Sequence, residues 1–420
     1  MADRVAYVQK NALVVSNVDP TNEDYTDLAP LRDRLQQVTI IGLGEPIHFD
    51  GSAFQAKVRL IKFLHQELGF RILAFESGFY DCYKAWQQIQ AGETTIEAAR
   101  KSLYPFWIST ETEALFTYIE QQKHTDNPLI LAGIDCKFSG AYSRENLLPD
   151  LTSYLGGTHS ALVQDTAKWR TFGASLARVI ALSDYFTKPS VADTLVVNPI
   201  LRGILAELQR TTTSSAAISP EQVFWQQFCR SSLTEIARKF SPKPGQNGQN
   251  ANEQGRDWQM GDNAIFLQQA LYRGEKMMVW AAASHLTYQG ANIDLAFYYQ
   301  NPRVGDYLKQ RYGEGYYNIG FTGYRGKFGK LLFFHVLRVT THQPNSIEYV
   351  LGQTKQPFLL LNFRQPNLPS WLQASLIARP FGYKETRMKL PMVMDGLFYT
   401  EDVFPNHWIP PVATPEQKRY

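Results

Sequence analysis

VTIIGLGEPIHFDGSAFQAKVRLIKFLHQELGFRILAFES, residues 38–77, decides how the chain is read. An apolar run from Val38 to Leu43 ends in Gly44 and Glu45, with His48 close behind. Helical spacing then fills about Ser52–Leu68, and a second apolar run, Ile72–Phe75, ends on Glu76. Strand, polar loop, helix and strand make the βαβ unit of a parallel sheet. Such sheets put their chemistry beyond the carboxyl ends of the strands, where Glu45, His48 and Glu76 all fall. Two carboxylates and an imidazole at one rim are the parts of an acid–base site.

The intervening helix adds a fourth group. Phe54, Val58, Ile61, Leu64 and Leu68 share one apolar stripe, with Lys57 in its middle. Arg59 is expected on the opposite, polar side with Gln55 and Gln66. A lysine facing inward is costly unless a carboxylate pairs with it. Glu45 and Glu76 are the nearby supply, and the alternative is that Lys57 snorkels to the sheet edge.

The 420 residues are 44% hydrophobic and 13% aromatic, enough for one large α/β core or two ordinary ones. A net charge of +3 is small for this length and gives no reason to expect a nucleic-acid or membrane-surface partner. Cys82, Cys136 and Cys229 are widely spaced and read as buried thiols of a reducing compartment. The opening MADRVAYVQKNALVV has no signal-peptide core, and no apolar run approaches the ~18 residues of a membrane span. A cytoplasmic protein is the expectation.

Outward from the opening unit, Met1–Arg34 is polar, with a short helix near Leu28–Leu35. Phe79–Ile89, Thr94–Arg100 and Glu111–Lys123 have helical spacing, and SLYPFWIST, broken by Pro105, is expected to form an irregular aromatic wall. Tyr83 and Trp86 are either core or the lining of a pocket above the strand ends. Pro128–Ile134 is a third apolar run without alternation, hence buried on both faces, and its Asp135 reaches the same rim. An aspartate at a strand end is also a common helix cap.

From Asp150 to about Phe240 no strand is legible, while Leu162–Leu182, Val197–Gln209 and Pro220–Phe240 suit helices. Residues 150–255 are therefore expected to form a helical insertion or lid, closed by a mobile Gly/Asn/Gln-rich loop, Pro242–Gly255. Arg256–Tyr272 suits a helix, and Lys276–Ala283 a fourth buried strand that ends at Ser284 and His285. A helix over Asn301–Arg311 follows, then strands over Tyr316–Phe321, Lys330–Val336 and Pro357–Leu361, and a Pro- and aromatic-rich tail from Pro380.

GxSxG, GxxxxGK[ST], a complete GxGxxG after a strand and HExxH are all missing. What remains is Glu45, His48, Lys57, Glu76, Asp135, Asp257 and His285. A histidine oriented by a carboxylate can deprotonate water, while a cation and a second histidine stabilise the oxyanion that forms. Water would thus attack an acyl carbon without a protein nucleophile. Asp135 and Asp257, with Tyr83 and Trp86, are the candidate substrate contacts. The same carboxylates and imidazoles could ligate a divalent metal, but a lysine in their shell disfavours one, and no cofactor is expected. His65 reads as structural; His124, His159, His335, His342 and His407 show no carboxylate context.

The chain resembles the erythromycin esterase family in GEPIHFD (Gly44–Asp50), the Lys57 helix, LGFRILAFESGF (Leu68–Phe79) and LAGID (Leu131–Asp135). RDWQMGDN (Arg256–Asn263), VWAAASH (Val279–His285) and NIGFTGYRG (Asn318–Gly326) extend the likeness in family order. The resemblance implies one α/β domain over residues 1–420: a central, mostly parallel sheet flanked by helices, the helical insertion, and an α+β C-terminal part. It implies hydrolysis of a macrolactone ester by activated water, with His48 as general base, Glu45 beside it and Glu76 ending the second strand. Lys57 stands at the family's basic helix position, and His285 matches the second histidine of a W/V-A-H-N-x-H pattern. At that pattern's first histidine and its asparagine this chain has Ala282 and Ala283. Three outcomes fit that departure: a bulkier or more reactive ester, acyl transfer or cyclisation with a substrate hydroxyl or amine as nucleophile, or ligand binding with little turnover.

Overall fold

Each uninterrupted apolar run becomes a strand buried on both faces. The fold is taken from a computed structural model, which describes residues 1–181, 190–211, 219–240, 251–295, 301–329 and 336–410. The strands are β1 (Leu13–Val14), β2 (Ile40–Glu45), β3 (Phe70–Gly78), β4 (Ile130–Asp135), β5 (Lys276–Ala282) and β6 (Tyr316–Gly329). After them come β7 (Val336–Arg338), β8 (Phe358–Asn362), β9 (Leu376–Ala378), β10 (Thr386–Met388) and β11 (Gly396–Val403). The main sheet has the order β1-β8-β11-β6-β2-β5-β3-β4, with β7 paired on β6; β9 and β10 form a separate ribbon. From β11 to β4 all neighbours are parallel, whereas β8 and β1 are antiparallel. The result is a central, mostly parallel sheet flanked by helices.

β2 and β3, consecutive in sequence, are not neighbours: β5 runs between them. Its register sets Glu45 opposite Ala282 on one side and Phe75 opposite Trp280 on the other. Three strand ends, those bearing Glu45, Glu76 and Ala282, therefore meet at one edge.

The helix Gly51–Leu68 starts where the Asp50 carboxylate accepts a hydrogen bond from the Ala53 N–H and stops at Gly69, whose φ of 70° is left-handed. Its outer face is covered too, which corrects the expectation for Arg59. That guanidinium is buried and donates to both oxygens of Asp27, at 3.0 and 2.7 Å. The N-terminal segment thus wraps the face that spacing alone assigns to solvent. This segment also contains a helix, Ala2–Asn11, and the edge strand β1, neither of which its polar composition discloses.

Between residues 150 and 240 the described chain has helices and connecting turns but no strand: Leu147–Gly157, Ala161–Gln164, Thr166–Ala181, Val191–Thr211 and Pro220–Phe240. Of the expected loop Pro242–Gly255, residues 242–250 lie outside the described residues. From Ala251 the chain is already in the helix Ala251–Phe266, earlier than the loop composition indicates, and that helix ends in a π-helical turn, Leu267–Leu271. Of the expected strand Lys330–Val336, residues 330–335 lie outside the described residues. The tail from Pro380 needs a correction: Gly396–Val403 is β11, an interior strand between β6 and β8. All three cysteines are buried, and no described helix is long and apolar enough to cross a membrane.

Candidate active site

The loop Glu45–Asp50 joins the end of β2 to the capped helix and carries His48. Glu45 and Lys57 are both fully buried. The His48 Nδ1–H donates to Glu45 Oε1 at 2.9 Å, and the Lys57 ammonium donates to the other oxygen, Oε2. Lys57 is not a snorkelling side chain. Its Nζ lies over the rings of Trp280, 4.8 Å from the centroid, and Phe321, 5.4 Å from it. Burial alone would raise the Glu45 carboxyl, but the charge of Lys57 and the hydrogen bond from His48 outweigh it and hold Glu45 below its ordinary value. Burial pushes the Lys57 ammonium down to about 8, against the pull of Glu45.

An ionised Glu45 has no proton to give, so the one between the two groups sits on Nδ1 of His48. The His48 side chain is 28% exposed. The expected aromatic wall holds its ring: Phe106 stacks on it at 4.5 Å and 11°, and Trp107 meets it edge-on at 5.7 Å.

Glu76 and His285 make the other half. Glu76 Oε2 accepts from the Ala282 N–H at 3.0 Å, and Oε1 accepts from Arg256 Nη2 at 2.8 Å and pairs with His285 Nε2 at 3.1 Å. The Nδ1–H of His285 donates to Asp257 Oδ1 at 2.7 Å. Burial would lower the His285 imidazole, yet Glu76 and Asp257 raise it to about 10. The ring is therefore held as a cation between two carboxylates, with Nε2 also 3.4 Å from Arg256 Nη1, and does not cap a backbone carbonyl. Burial would raise Glu76, but the charge of His285 drives it well below its ordinary value.

Asp135 and Asp257 sit at this rim, both fully buried and both engaged. Asp135 accepts from Arg256 Nε at 3.1 Å and Nη2 at 2.7 Å; Asp257 accepts from Arg303 Nη1 at 2.6 Å as well as from His285. Both carboxylates are thus engaged with the cations of the site. Tyr83 stands apart from the cluster. It stacks on Phe224 at 3.5 Å between ring centroids and lines a cavity of about 500 Å³ with Tyr80, Lys84, Asp150 and Trp225, away from Glu45 and Glu76. Trp86 is partly buried against the main core.

Arg256 and Arg303 are the residues that the sequence reading misses. Arg256 ties Glu76 to Asp135, and its one signal is position: it precedes Asp257 on a helix aimed at the strand ends. His407, read without carboxylate context, shares a hydrogen bond at Nδ1 with Glu111 at 2.6 Å. His65 is buried against Tyr118, 2.6 Å from its hydroxyl.

The two halves face each other across the end of β5. Gly44 makes their approach possible, since a Cβ there would come 2.8 Å from the Cα of Ala283. Ala283 is buried against Gly44 while Ala282 is part-exposed, so of the two alanines only Ala282 opens the rim.

Comparison with known proteins agrees with this architecture. At 26% identity over 409 residues, the chain is similar to YbfO of Bacillus subtilis (strain 168), provisionally named a hydrolase, covering 93% of this chain and 89% of that one. Erythromycin esterase type II of Escherichia coli is 22% identical over 404 residues, covering 90% of this chain and 93% of its own. A crystal structure of a Bacillus cereus protein superposes with a TM-score of 0.81 at 19% identity, over 97% of this chain and 99% of that one. An erythromycin esterase mutant in its open conformation superposes with a TM-score of 0.67 at 14% identity, over 93% and 97%. The family model described as erythromycin esterase matches residues 65–403, starting beyond Glu45, His48 and Lys57. With most of its length inside that match, the chain belongs to the erythromycin esterase family.

Proposed function

We propose that this protein is a hydrolase that cleaves an ester or lactone of a bulky small molecule, macrocyclic or of polyketide or peptide type, with His48 as general base. One observation carries the reading. Glu45, kept ionised by Lys57, fixes the proton on Nδ1 of a part-exposed His48 and leaves Nε2 to accept one. Nε2 takes a proton from water as the water oxygen bonds to the acyl carbon, and Glu45 stabilises the imidazolium that forms. The imidazolium then returns the proton to the leaving alkoxide as the acyl C–O bond breaks. No residue of the chain is acylated. His285 is held between the Asp257 and Glu76 carboxylates, so it contributes fixed positive charge rather than a transferable proton. The names of the relatives support an ester substrate, and the side-chain volume absent at Ala282 supports a bulky one.

The test is hydrolysis of p-nitrophenyl esters and of a macrolactone panel in ¹⁸O-labelled water. His48→Gln is expected to lower turnover by about 10²–10⁴, the usual cost of losing a general base. Label should enter the acid product of the native protein. Unchanged turnover in the variant would remove His48 from the chemistry. An unlabelled cyclic or ester product would move the reading to acyl transfer, and a bound but unaltered macrolactone to a binding module.

A further inference from the structure

One segment of the chain holds both the loop that carries His48 and the aromatic wall against it. The bond from Nδ1 to Glu45 fixes one point of the imidazole. The χ2 torsion of a histidine is broad, so the plane of the ring has to be set by what lies on its faces. Phe106 lies on one of them, at 4.5 Å and 11°. It is carried by a single 3₁₀ turn, Pro105–Trp107. The Tyr104 and Pro105 carbonyls accept from the Trp107 and Ile108 N–H groups at 3.1 and 3.0 Å. Among the described residues the Phe106 carbonyl has no backbone donor, as happens where a helical turn ends. The Asn406 side chain takes that place, its Nδ2–H donating to the Phe106 carbonyl at 2.7 Å.

Asn406 belongs to the segment beyond β11, residues 404–409, which crosses both pieces. The Gly51 N–H donates to the Phe404 carbonyl at 2.9 Å, and the crossing is so close that a Cβ on Gly51 would come 2.7 Å from the Phe404 ring. The Asn406 N–H donates to the Phe49 carbonyl at 3.4 Å, and that carbonyl also accepts from the Gly329 N–H at 3.0 Å. Asn406 is thus joined by its backbone to the residue after His48, and by its side chain to the residue stacked on His48. We propose that Asn406 is a positioning residue of the His48 site, setting the Phe106 ring against the imidazole and with it the direction in which Nε2 points. This rests on the reading of His48 as base. The neighbouring bonds of the segment end elsewhere. The His407 carbonyl accepts from the Thr110 N–H at 2.9 Å, and the Ile409 N–H donates to the Ile108 carbonyl at 3.0 Å. With the Asn406 amide removed, these keep the segment docked, and only the Phe106 end of the wall is released.

Asn406→Ala deletes the amide and leaves the backbone bonds of the segment. In p-nitrophenyl ester hydrolysis its kcat is expected to fall about tenfold with KM unchanged, part of the 10² that a misplacement of about 1 Å can cost. The NMR resonances of the His48 ring protons, assigned by their loss in His48→Gln, should lose the upfield shift that a stacked ring imposes. Phe106→Leu keeps an apolar side chain without the ring and should lower kcat and move the resonances in the same way. Asn406→Ala added to Phe106→Leu should then cost nothing more, because both act through the same stack. His407→Ala, on the same segment but against Glu111, should leave kcat and the His48 resonances where they are. Unmoved resonances in Asn406→Ala, losses in kcat that add in the double variant, or the same changes in His407→Ala would each overturn the proposal. If the resonances move as expected but His48→Gln still hydrolyses esters, Asn406 positions His48 and the reading of His48 as base fails instead.

Discussion

Two histidines end two parallel strands of this sheet, each beside a strand-end glutamate, and the surroundings give them opposite work. His48 is part-exposed and has one carboxylate, which Lys57 already neutralises in part. His285 is buried between two carboxylates, with Arg256 and Arg303 behind them. On the function proposed above, the first imidazole takes the proton and the second supplies fixed charge, because two like groups in surroundings this different divide such roles between them.

The comparison breaks most decisively at Arg256. Arg256→Met leaves Glu76 and Asp135 buried without their shared cation, and loss of one partner from a buried ion pair costs about 3–5 kcal/mol. Urea denaturation at neutral pH should show that loss, whereas His48→Gln, which keeps an amide donor for Glu45, should shift stability by about 1 kcal/mol or less, the net worth of one hydrogen bond. A stable Arg256→Met protein, or an unstable His48→Gln one, would mean that the two halves have been assigned the wrong way round.

A smaller effect is readable in the pH dependence of stability. His285 is raised to about 10 in the folded state, above its ordinary ~6.5, so its contribution is complete below pH ~6.5 and is lost as pH climbs through about 10. Lys57 has the opposite sign. It is lowered to about 8 from ~10.4, so the unfolded chain binds the extra proton and stability rises with pH between those values. Over the shared window the two slopes oppose each other. Denaturation midpoints from pH 7 to 10.5 should therefore climb in His285→Gln, where only the lysine still titrates, and fall in Lys57→Met. Parallel curves for the two variants would contradict both assignments.

The same contrast explains which residues the sequence discloses. Glu45, His48, Lys57 and Glu76 are legible because a fully apolar strand that ends in a charge announces where the charge must go, and a lysine inside an apolar stripe demands a partner. Arg256 is not, because it lies next to a Gly/Asn/Gln-rich segment whose composition suggests solvent. Its burial depends on Glu76 and Asp135, which are 180 and 121 residues away in the chain. Spacing misplaces Arg59 for a related reason: helical periodicity says which face is polar, not whether another segment covers it. β11 is hidden because GLFYTEDV alternates weakly and follows a proline-rich stretch, although pairing with β6 and β8 buries it.

The smallest prediction concerns the seam between the two halves. A Cβ on residue 44 would meet Ala283 Cα at 2.8 Å and Cβ at 3.1 Å, and Ala283 starts the short helix Ala283–Leu286 at the exit of β5. Gly44→Ala must therefore push β2 from β5, at a cost of about 1–3 kcal/mol for overpacking a tight core. Because residue 44 precedes Glu45 and residue 283 leads to His285, the same displacement separates His48 from His285, the proposed base from the proposed fixed charge. Gly44→Ala should lower kcat together with stability. Adding Ala283→Gly takes away the methyl group that the new side chain meets but leaves the backbone carbon behind it, which is nearer still. A double-mutant cycle should therefore recover only part of the loss, with a coupling of about 0.5–1 kcal/mol. Full additivity would show that the two strand ends do not bear on each other. A coupling seen in kcat as well as in stability would show that the spacing of the halves, and not only their individual partners, sets the chemistry at His48.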